Sequence, residues 1–343
     1  MEAIEADQDP IEYFLEDLTY HGKSERTLNA YERVLRRFEQ FLAEERGVSD
    51  PNVADRRDCL AWVHALRGGA SRSTVATYAS YLHRFYDYMT QVGEFETNPM
   101  TLVMAELDES IDKDPARRDI SIERMREFFT RITHPLERAV IVTLLKTGIR
   151  VGELCNLDLR DVNLGDNDIA DEFEVGYRVQ LEGQPSTLFI AADIERGATV
   201  NHEKRTASNK RQRDTLIPID PELARELKRY LAIRPDAVTD AEPLLLSTKD
   251  KWGHRLKTEW ARNIVIDHAR RAGWYHDGGG ATENVTPHYF RHFFTTHLRD
   301  RTGDRGIVKY LRGDVADDII DTYTHNWGDR VRDTYEANIY AIT

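Results

Sequence analysis

The segment TPHYFRHFFTTHL, residues 286–298, sets several polar, titratable side chains in an otherwise apolar helix. His288 and Arg291 are three residues apart, so a helix places them on one face. Apolar side chains fill much of the remaining helix surface, namely Phe290, Phe293, Phe294 and Leu298. Because a helix that is apolar beyond one stripe is largely buried, its arginine needs an anionic partner. The segment therefore predicts a cationic helix that faces something negative.

Three histidines in this helix, His288, His292 and His297, raise the alternative of a metal site. Their spacing does not form the His-Glu-x-x-His pattern, and no carboxylate stands between them. The pattern favours anion binding, and we expect neither a metal nor another cofactor.

A second arginine stands in TGIRVGELCNL, residues 147–157. Gly148 breaks one helix, and Arg150 comes just before the apolar spacing of the next helix resumes. Backbone N–H groups point outward at a helix entry, which makes it a ready anion site. Glu153, one turn on, could hold the Arg150 guanidinium through a charge-assisted bond. The alternative is an ordinary surface Arg–Glu pair.

Two further motifs carry candidate chemistry. HEKRTASNKRQR, residues 202–213, has six basic side chains, counting His202, against one acidic side chain. It falls between candidate strands, so Lys204 or Lys210 could reach a ligand from a hairpin, although a solvated loop is the alternative. Near the other end, IIDTYTHNWG, residues 319–328, presents Tyr323 after a short apolar run. A lone tyrosine is ordinarily a packing residue, and only these neighbouring motifs make it a candidate.

The elements that position these residues fall into two groups. Apolar spacing predicts four helices between residues 11 and 100, with serines at positions 24 and 73 as caps. Polar, charged residues 105–119 predict a linker. Beyond it, helices at Ser121 and Pro135 are followed by β-like runs that predict a small antiparallel sheet, at Tyr177–Leu181, Thr187–Ala191 and Thr215–Ile219.

Helices resume at Pro221. The C-terminal tail, residues 329–343, predicts an amphipathic helix. We expect it to dock on a neighbouring subunit, with packing against its own domain as the alternative.

The composition restricts the class of protein. The 343 residues carry a net charge of −13, and 10 of the 47 basic residues are lysine, which leaves 37 arginines. Acid excess with few lysines is expected of a protein from a high-salt cytoplasm. The sequence has no apolar run long enough for a membrane span and no secretory signal pattern, and Cys59 and Cys155 are far apart. These features predict a cytoplasmic protein with reduced cysteines.

Taken together, the order Arg150, a hairpin lysine, His288-x-x-Arg291 and Tyr323 resembles the tyrosine recombinase family of phage integrases and Xer-like recombinases. Tyr323 lies 32 residues after Arg291, a spacing typical of that family. The resemblance implies a mainly α, two-domain fold. A SAM-like four-helix core-binding domain spans residues 1–104, and 105–119 link it to an α+β catalytic domain at 120–343.

The resemblance also implies a role for each motif residue. Arg150 and Arg291 would bind the phosphate, and Tyr323 would attack it with help from His288. Lys210 would be the general acid, with Lys204 as competitor. Candidate DNA contacts are Lys204, Arg205, Arg211, Arg213, Arg26 and Arg72.

One position departs from the family. Where Leu-Gly-His is usual, this chain has Leu311-Arg312-Gly313-Asp314, so Asp314 stands at the catalytic histidine position. Asp314 could be protonated, could orient Arg291 or His288, or could be displaced while another residue takes its role.

The implied function is site-specific recombination of double-stranded DNA through a 3′-phosphotyrosyl intermediate, without metal or ATP, by a homo-tetramer on DNA. Two alternatives stay open. One is a DNA-binding regulator of the same fold with impaired cleavage, and the other is a nicking-closing enzyme that resembles type IB topoisomerases.

Overall fold

The computed structural model describes residues 9–110, 117–165, 172–176, 178–192, 194–314 and 327–343. The chain divides into two compact units, Met1–Pro115 and Ala116–Thr343. Within the described ranges, none of the helices combines the length and apolar character that crossing a membrane requires.

The first unit is helical. The four predicted helices are present as α1 (Pro10–Tyr20), α2 (Glu25–Phe41), α3 (Arg56–Arg67) and α4 (Arg72–Gln91). A fifth, short helix that the sequence analysis did not predict, α5 (Met100–Ala105), follows Asn98–Pro99. Ser24 caps α2 as expected, whereas α4 is capped by Ser71 rather than Ser73.

Aromatic side chains form the centre of this first core. Phe14 and Phe85 meet edge to face with ring centroids 5.5 Å apart, and Phe38 meets Trp62 at 5.2 Å. All four rings are almost fully buried. Edge-to-face pairs add stability beyond the burial of apolar area, so these residues hold the unit together.

The second unit packs helices around a small sheet. Its helices are α6 (Ile122–Thr130), α7 (Pro135–Thr147), α8 (Val151–Asn156), α9 (Pro221–Leu231), α10 (Thr258–Arg271), α11 (Pro287–Thr302), α12 (Arg305–Arg312) and α13 (Trp327–Asn338). Helix α7 is buried from Ala139 to Thr147 and packs against α9 and α11. The predicted cationic segment, α11, therefore lies against the most apolar helix of the unit.

The sheet differs in part from the prediction. Strands β1 (Val162–Asn163), β2 (Thr187–Ile190) and β5 (Thr215–Pro218) form one antiparallel sheet in the order β1-β2-β5. Between them, β3 (Thr199–Val200) and β4 (Glu203–Lys204) form a separate two-stranded hairpin. The prediction of a strand at Tyr177–Leu181 is wrong, because Val179–Leu181 forms a 3₁₀ turn.

The C-terminal tail packs into its own unit. Val331 and Tyr335 of α13 are buried, and the Tyr335 hydroxyl donates to the Lys146 carbonyl at 3.0 Å. Tyr340 is also buried, with its hydroxyl on the Leu145 carbonyl. This is the intramolecular alternative of the sequence analysis rather than the expected docking on a neighbour.

Lys146 joins this tail to the body of the unit. Its ammonium group is fully buried and has three acceptors, Asp220 Oδ2 at 2.7 Å, Glu222 Oε2 at 2.5 Å and the Tyr340 carbonyl at 2.5 Å. Because an ammonium group has three donors, this geometry satisfies each of them.

Candidate functional site

The turn between α7 and α8 positions Arg150. Gly148 ends α7 with φ of +63°, in the left-handed region. A β-carbon at this position would lie 2.3 Å from the Phe294 ring, so both backbone and packing require glycine. Two residues later Arg150 begins α8 with extended backbone, as the sequence predicts.

The Glu153 carboxylate fixes the position of Arg150. Its carboxylate accepts from the Arg150 backbone N–H at 2.8 Å and from Nη1 at 3.0 Å. The Glu153 side chain is fully buried, whereas 29% of the Arg150 side chain is exposed. The predicted Arg150–Glu153 pair is confirmed, and it is a positioning contact rather than a surface pair.

Arg291 reaches the same place from α11. Its Nη1 donates to the Gly148 carbonyl at 2.8 Å and to the Arg312 carbonyl at 2.9 Å. The side chain is only 3% exposed. Burial lowers the pKa of Arg291 to about 10, which leaves the guanidinium charged at neutral pH. The prediction of a buried arginine with an anionic partner is confirmed.

That anionic partner is Asp314, which both arginines share. Asp314 Oδ1 lies 2.7 Å from Nη2 of Arg150 and 2.7 Å from Nη2 of Arg291. Asp314 Oδ2 lies 2.8 Å from Nη2 of Arg312. Three guanidinium groups from three different helices or helix ends therefore converge on one carboxylate.

The charge state of Asp314 follows from this geometry. Burial alone would raise the pKa of its carboxyl group, but Arg291, Arg312 and Arg150 outweigh burial and lower it below the ordinary value. Asp314 is thus ionised at neutral pH, which excludes the protonated form that the sequence left open. Its contact with Arg291 fits the orienting alternative.

His288 lies at the entrance of α11. Partial burial of the ring is the largest cause that lowers its pKa below the ordinary value. The positive charges of four nearby arginines lower it further, namely Arg117, Arg291, Arg312 and Arg150. The ring retains contact with solvent. His288 is therefore neutral at pH 7 and able to accept a proton.

The two candidate lysines differ in position. The backbone carbonyl of Lys210 accepts from Arg150 Nη1 at 3.2 Å, and the Lys210 side chain is exposed. Lys204 lies on β4, where it pairs with Thr199, and none of its hydrogen bonds among the described residues reaches the three arginines. Lys210 is thus the lysine at the edge of the arginine cluster.

Two of the expected DNA contacts are buried and must be corrected. Arg205 is 1% exposed, and both of its terminal nitrogens bind Asp158, at 3.0 and 2.6 Å. Arg211 is 4% exposed and donates to Glu153 at 3.2 Å and to the Leu311 carbonyl at 3.1 Å. Both guanidinium groups serve internal ion pairs, because each faces a fully buried carboxylate.

The remaining sequence candidates fall into three groups. Arg213 is half-buried, and Arg26 and Arg72 are exposed on the first unit, so all three stay predictions as DNA contacts. Tyr323 lies outside the described residues. Arg312 was missed as a site residue, although its signal was present, since opposite charges flank Gly313 in Arg-Gly-Asp.

Comparison with known proteins covers nearly the whole chain. Residues 11–93 match the family described as phage integrase, N-terminal SAM-like domain. The chain is 26% identical over 339 residues to tyrosine recombinase XerD of Listeria monocytogenes serotype 4b (strain F2365). That alignment covers 96% of this chain and 97% of the relative. Relatives named tyrosine recombinases thus align with nearly the whole chain, which supports the tyrosine recombinase family for it. The chain is also 25% identical over 336 residues to tyrosine recombinase XerA of Pyrococcus furiosus, and the alignment covers 96% of this chain and 94% of the relative.

Solved structures share the fold of this chain. The Tn1549 transposon integrase in complex with a circular intermediate DNA aligns with a TM-score of 0.65 at 18% identity, over 96% of this chain and 98% of that one. A lambda integrase dimer bound to a COC′ core site aligns with a TM-score of 0.59 at 12% identity, over 92% and 96%. The mainly helical, two-domain class with small antiparallel sheets agrees with the predicted fold class.

Proposed function

We propose that this chain is a site-specific DNA recombinase that cuts and rejoins DNA through a 3′-phosphotyrosyl intermediate. The observation that carries the proposal is the convergence of Arg150 and Arg291 on a single anion position. A phosphodiester presents non-bridging oxygens to such a pair, and its pentavalent transition state carries more charge than its ground state. The pair therefore suits phosphoryl transfer better than binding alone.

The proposed step is a direct displacement at phosphorus. The Tyr323 oxygen bonds to phosphorus as its proton passes to neutral His288, and the bond from phosphorus to the 5′ oxygen breaks. Lys210 gives a proton to that oxygen, which leaves as a 5′ hydroxyl. The reverse displacement by a 5′ hydroxyl of another strand rejoins the DNA. The phosphate ester is conserved at each step, so the exchange needs no ATP.

The assignment of the general acid to Lys210 rests on its position. Its backbone carbonyl accepts a hydrogen bond from Arg150 and its side chain is exposed, which supports its approach to the proposed phosphate. Lys204, on the separate hairpin, stays the competing candidate from the sequence.

The expected partner is double-stranded DNA that carries a recombination site. Exchange between two duplexes needs four tyrosines, so we propose a homo-tetramer on DNA. A lambda integrase tetramer bound to a Holliday junction has the same fold, with a TM-score of 0.61 at 14% identity, which supports this assembly.

We also propose that the protein acts in a high-salt cytoplasm. The acid excess and low lysine count support it. Cys59 and Cys155 are buried, free thiols, which suits a reducing compartment. A midpoint of thermal unfolding that fails to rise with molar KCl would argue against the salt adaptation.

Covalent trapping on nicked DNA tests the function. Full-length protein is mixed with randomly nicked fragments of the source genome, and complexes that survive denaturation are counted and sequenced. A nick beside the cleaved bond releases the 5′ hydroxyl strand, so the intermediate accumulates. We expect trapping by the wild type and none by Tyr323→Phe, which removes only the nucleophilic oxygen.

The same assay separates the alternatives. DNA binding without trapping in the wild type would favour the regulator. Trapping with relaxation of one supercoiled circle, but without joining of two duplexes, would favour the topoisomerase-like enzyme.

The lowered pKa of His288 predicts the acid side of the pH profile. The imidazole accepts a proton only when neutral, and its depressed pKa keeps it neutral below the ordinary histidine value of about 6.5. The midpoint of the acid limb of the trapping rate should therefore lie below pH 6.5. The His288→Gln variant should lose the acid limb of the pH profile, and its trapping rate should be lower by about 100-fold. A midpoint above 6.5, with the protein still folded by circular dichroism, would contradict the assignment.

A further inference from the structure

Two side chains of the segment Leu311-Arg312-Gly313-Asp314 carry opposite charges and contact each other. Asp314 stands where the family usually has histidine, and Arg312 lies two residues before it. Arg312 Nη2 lies 2.8 Å from Asp314 Oδ2. A pair of opposite charges therefore lies within the arginine cluster.

The Asp314 carboxylate is held as an anionic ligand would be. One carboxylate oxygen lies 2.7 Å from the guanidinium nitrogens of both Arg150 and Arg291, and the other lies 2.8 Å from a guanidinium nitrogen of Arg312. An ionised carboxylate and the non-bridging oxygens of a phosphodiester both act only as acceptors and suit the same guanidinium donors. The carboxylate therefore marks where an anion fits in this cluster.

We propose that Asp314 holds, in the free protein, the place that the scissile phosphate takes on DNA, and that Arg312 is a third guanidinium ligand of that phosphate. The DNA part of this inference rests on the proposed recombinase function. The competition between Asp314 and an anion is a property of the free protein.

Exposure makes the exchange feasible. Asp314 and Arg312 have side chains that are 32% and 28% exposed, so the carboxylate can turn to water without burial of an unpaired charge. Arg291, at 3% exposure, stays fixed by the carbonyls of Gly148 and Arg312. The phosphate and Asp314 cannot share the three cations, because two anions at this distance repel each other.

The pair also explains how the site tolerates its own charge. Without Asp314, the three guanidinium groups would be left with the Glu153 carboxylate, which contacts Arg150 and also Arg211, so they would repel one another and attract free anions from solution. The tethered Asp314 carboxylate lowers this repulsion and excludes small anions until a phosphate with many other contacts to the protein displaces it. In this account Arg312 supplies a third guanidinium contact to the phosphate.

Titration of inorganic phosphate into the free, full-length protein at constant ionic strength tests the competition. Asp314→Asn should bind phosphate at least about tenfold more tightly than the wild type, equivalent to about 1.4 kcal/mol. Asp300→Asn is the matched control, since it removes one negative charge from an exposed ion pair with Arg299 elsewhere on the surface. Adding Arg312→Gln to Asp314→Asn should reverse the gain by about tenfold.

Equal phosphate affinity in the wild type and Asp314→Asn, or an equal gain in Asp300→Asn, would overturn the competition. An undiminished gain after Arg312→Gln would overturn the third ligand. Asp314→Ala serves as a second variant, because it also removes the charge but offers no amide in place of the carboxylate.

Single-turnover trapping separates this inference from the proposed function. Asp314→Asn should trap faster than the wild type at limiting DNA, because the phosphate no longer has to displace a carboxylate. A saturated rate more than about tenfold lower would assign Asp314 a positioning role in the DNA complex and overturn the inference. No trapping by the wild type, with the phosphate results as expected, would instead count against the recombinase function alone.

Discussion

The substitution Arg291→Lys is expected to lower the saturated rate of covalent trapping by about 100- to 1000-fold. The Arg291 guanidinium spans three acceptors, the carbonyls of Gly148 and Arg312 and the shared anion position. A lysine keeps the charge but has no planar fork, so it cannot hold both carbonyls while it points a donor at the phosphate. The loss should appear in the rate rather than in DNA affinity.

Arg299→Lys is the matched control on the same helix. Arg299 is exposed, and among the ion pairs of the described residues it pairs only with its neighbour Asp300. The trapping rate of the Arg299→Lys variant should therefore equal that of the wild type. Thermal unfolding of both variants shows how much of the effect is structural. A loss of less than about tenfold for Arg291→Lys would mean that phosphate charge is neutralised elsewhere.

Lys146→Met is expected to lower the free energy of unfolding by about 3–5 kcal/mol. Methionine fits the apolar path of the side chain but leaves Asp220 and Glu222 without the cation between them. It also removes the donor to the Tyr340 carbonyl, which fixes the tail. Urea unfolding measures the change. Lys257→Met, at an exposed lysine, is the control and should change stability by less than about 0.5 kcal/mol.

The acid stability of the same variant offers a second readout. Burial of Glu222 opposes ionisation, but contacts that include Lys146 and Thr343 lower its pKa to about 2. In the wild type this contribution is fully present above about pH 4.5 and is lost as the pH falls toward 2. Without Lys146, the loss should begin at higher pH. An unchanged acid transition and a small change in urea would show that the tail is held without this ion cluster.

The sequence could predict the parts of the site that depend on local spacing. Arg150 and Glu153 are one helical turn apart, so their pairing follows from helix geometry alone. Arg291 has apolar residues on most sides within its own helix, which requires burial and therefore a counter-charge. Helices α1 to α4 of the first unit follow from the same periodicity, whereas the short α5 does not.

The parts that it could not predict depend on distant partners. Asp314 is 164 residues from Arg150 along the chain, so nothing local reveals that the two share a bond. Arg205 looks like a surface cation in a basic run, but Asp158, 47 residues away, draws it into the interior. The predicted strand at Tyr177–Leu181 was wrong because β-type residues in a short segment do not distinguish a strand from a 3₁₀ turn without knowledge of the pairing partner.

Gly148 lies between Arg150 and Arg291, the two arginines proposed to bind the phosphate. Its left-handed backbone directs the chain toward Arg150, and its carbonyl oxygen holds Arg291. The spacing of the two cations therefore depends in part on this residue, and a displacement of Gly148 would move both of them. Insertions or substitutions in the surrounding helices can therefore accumulate during divergence while the distance between the two guanidinium groups stays the same, provided that the Gly148 backbone keeps its conformation.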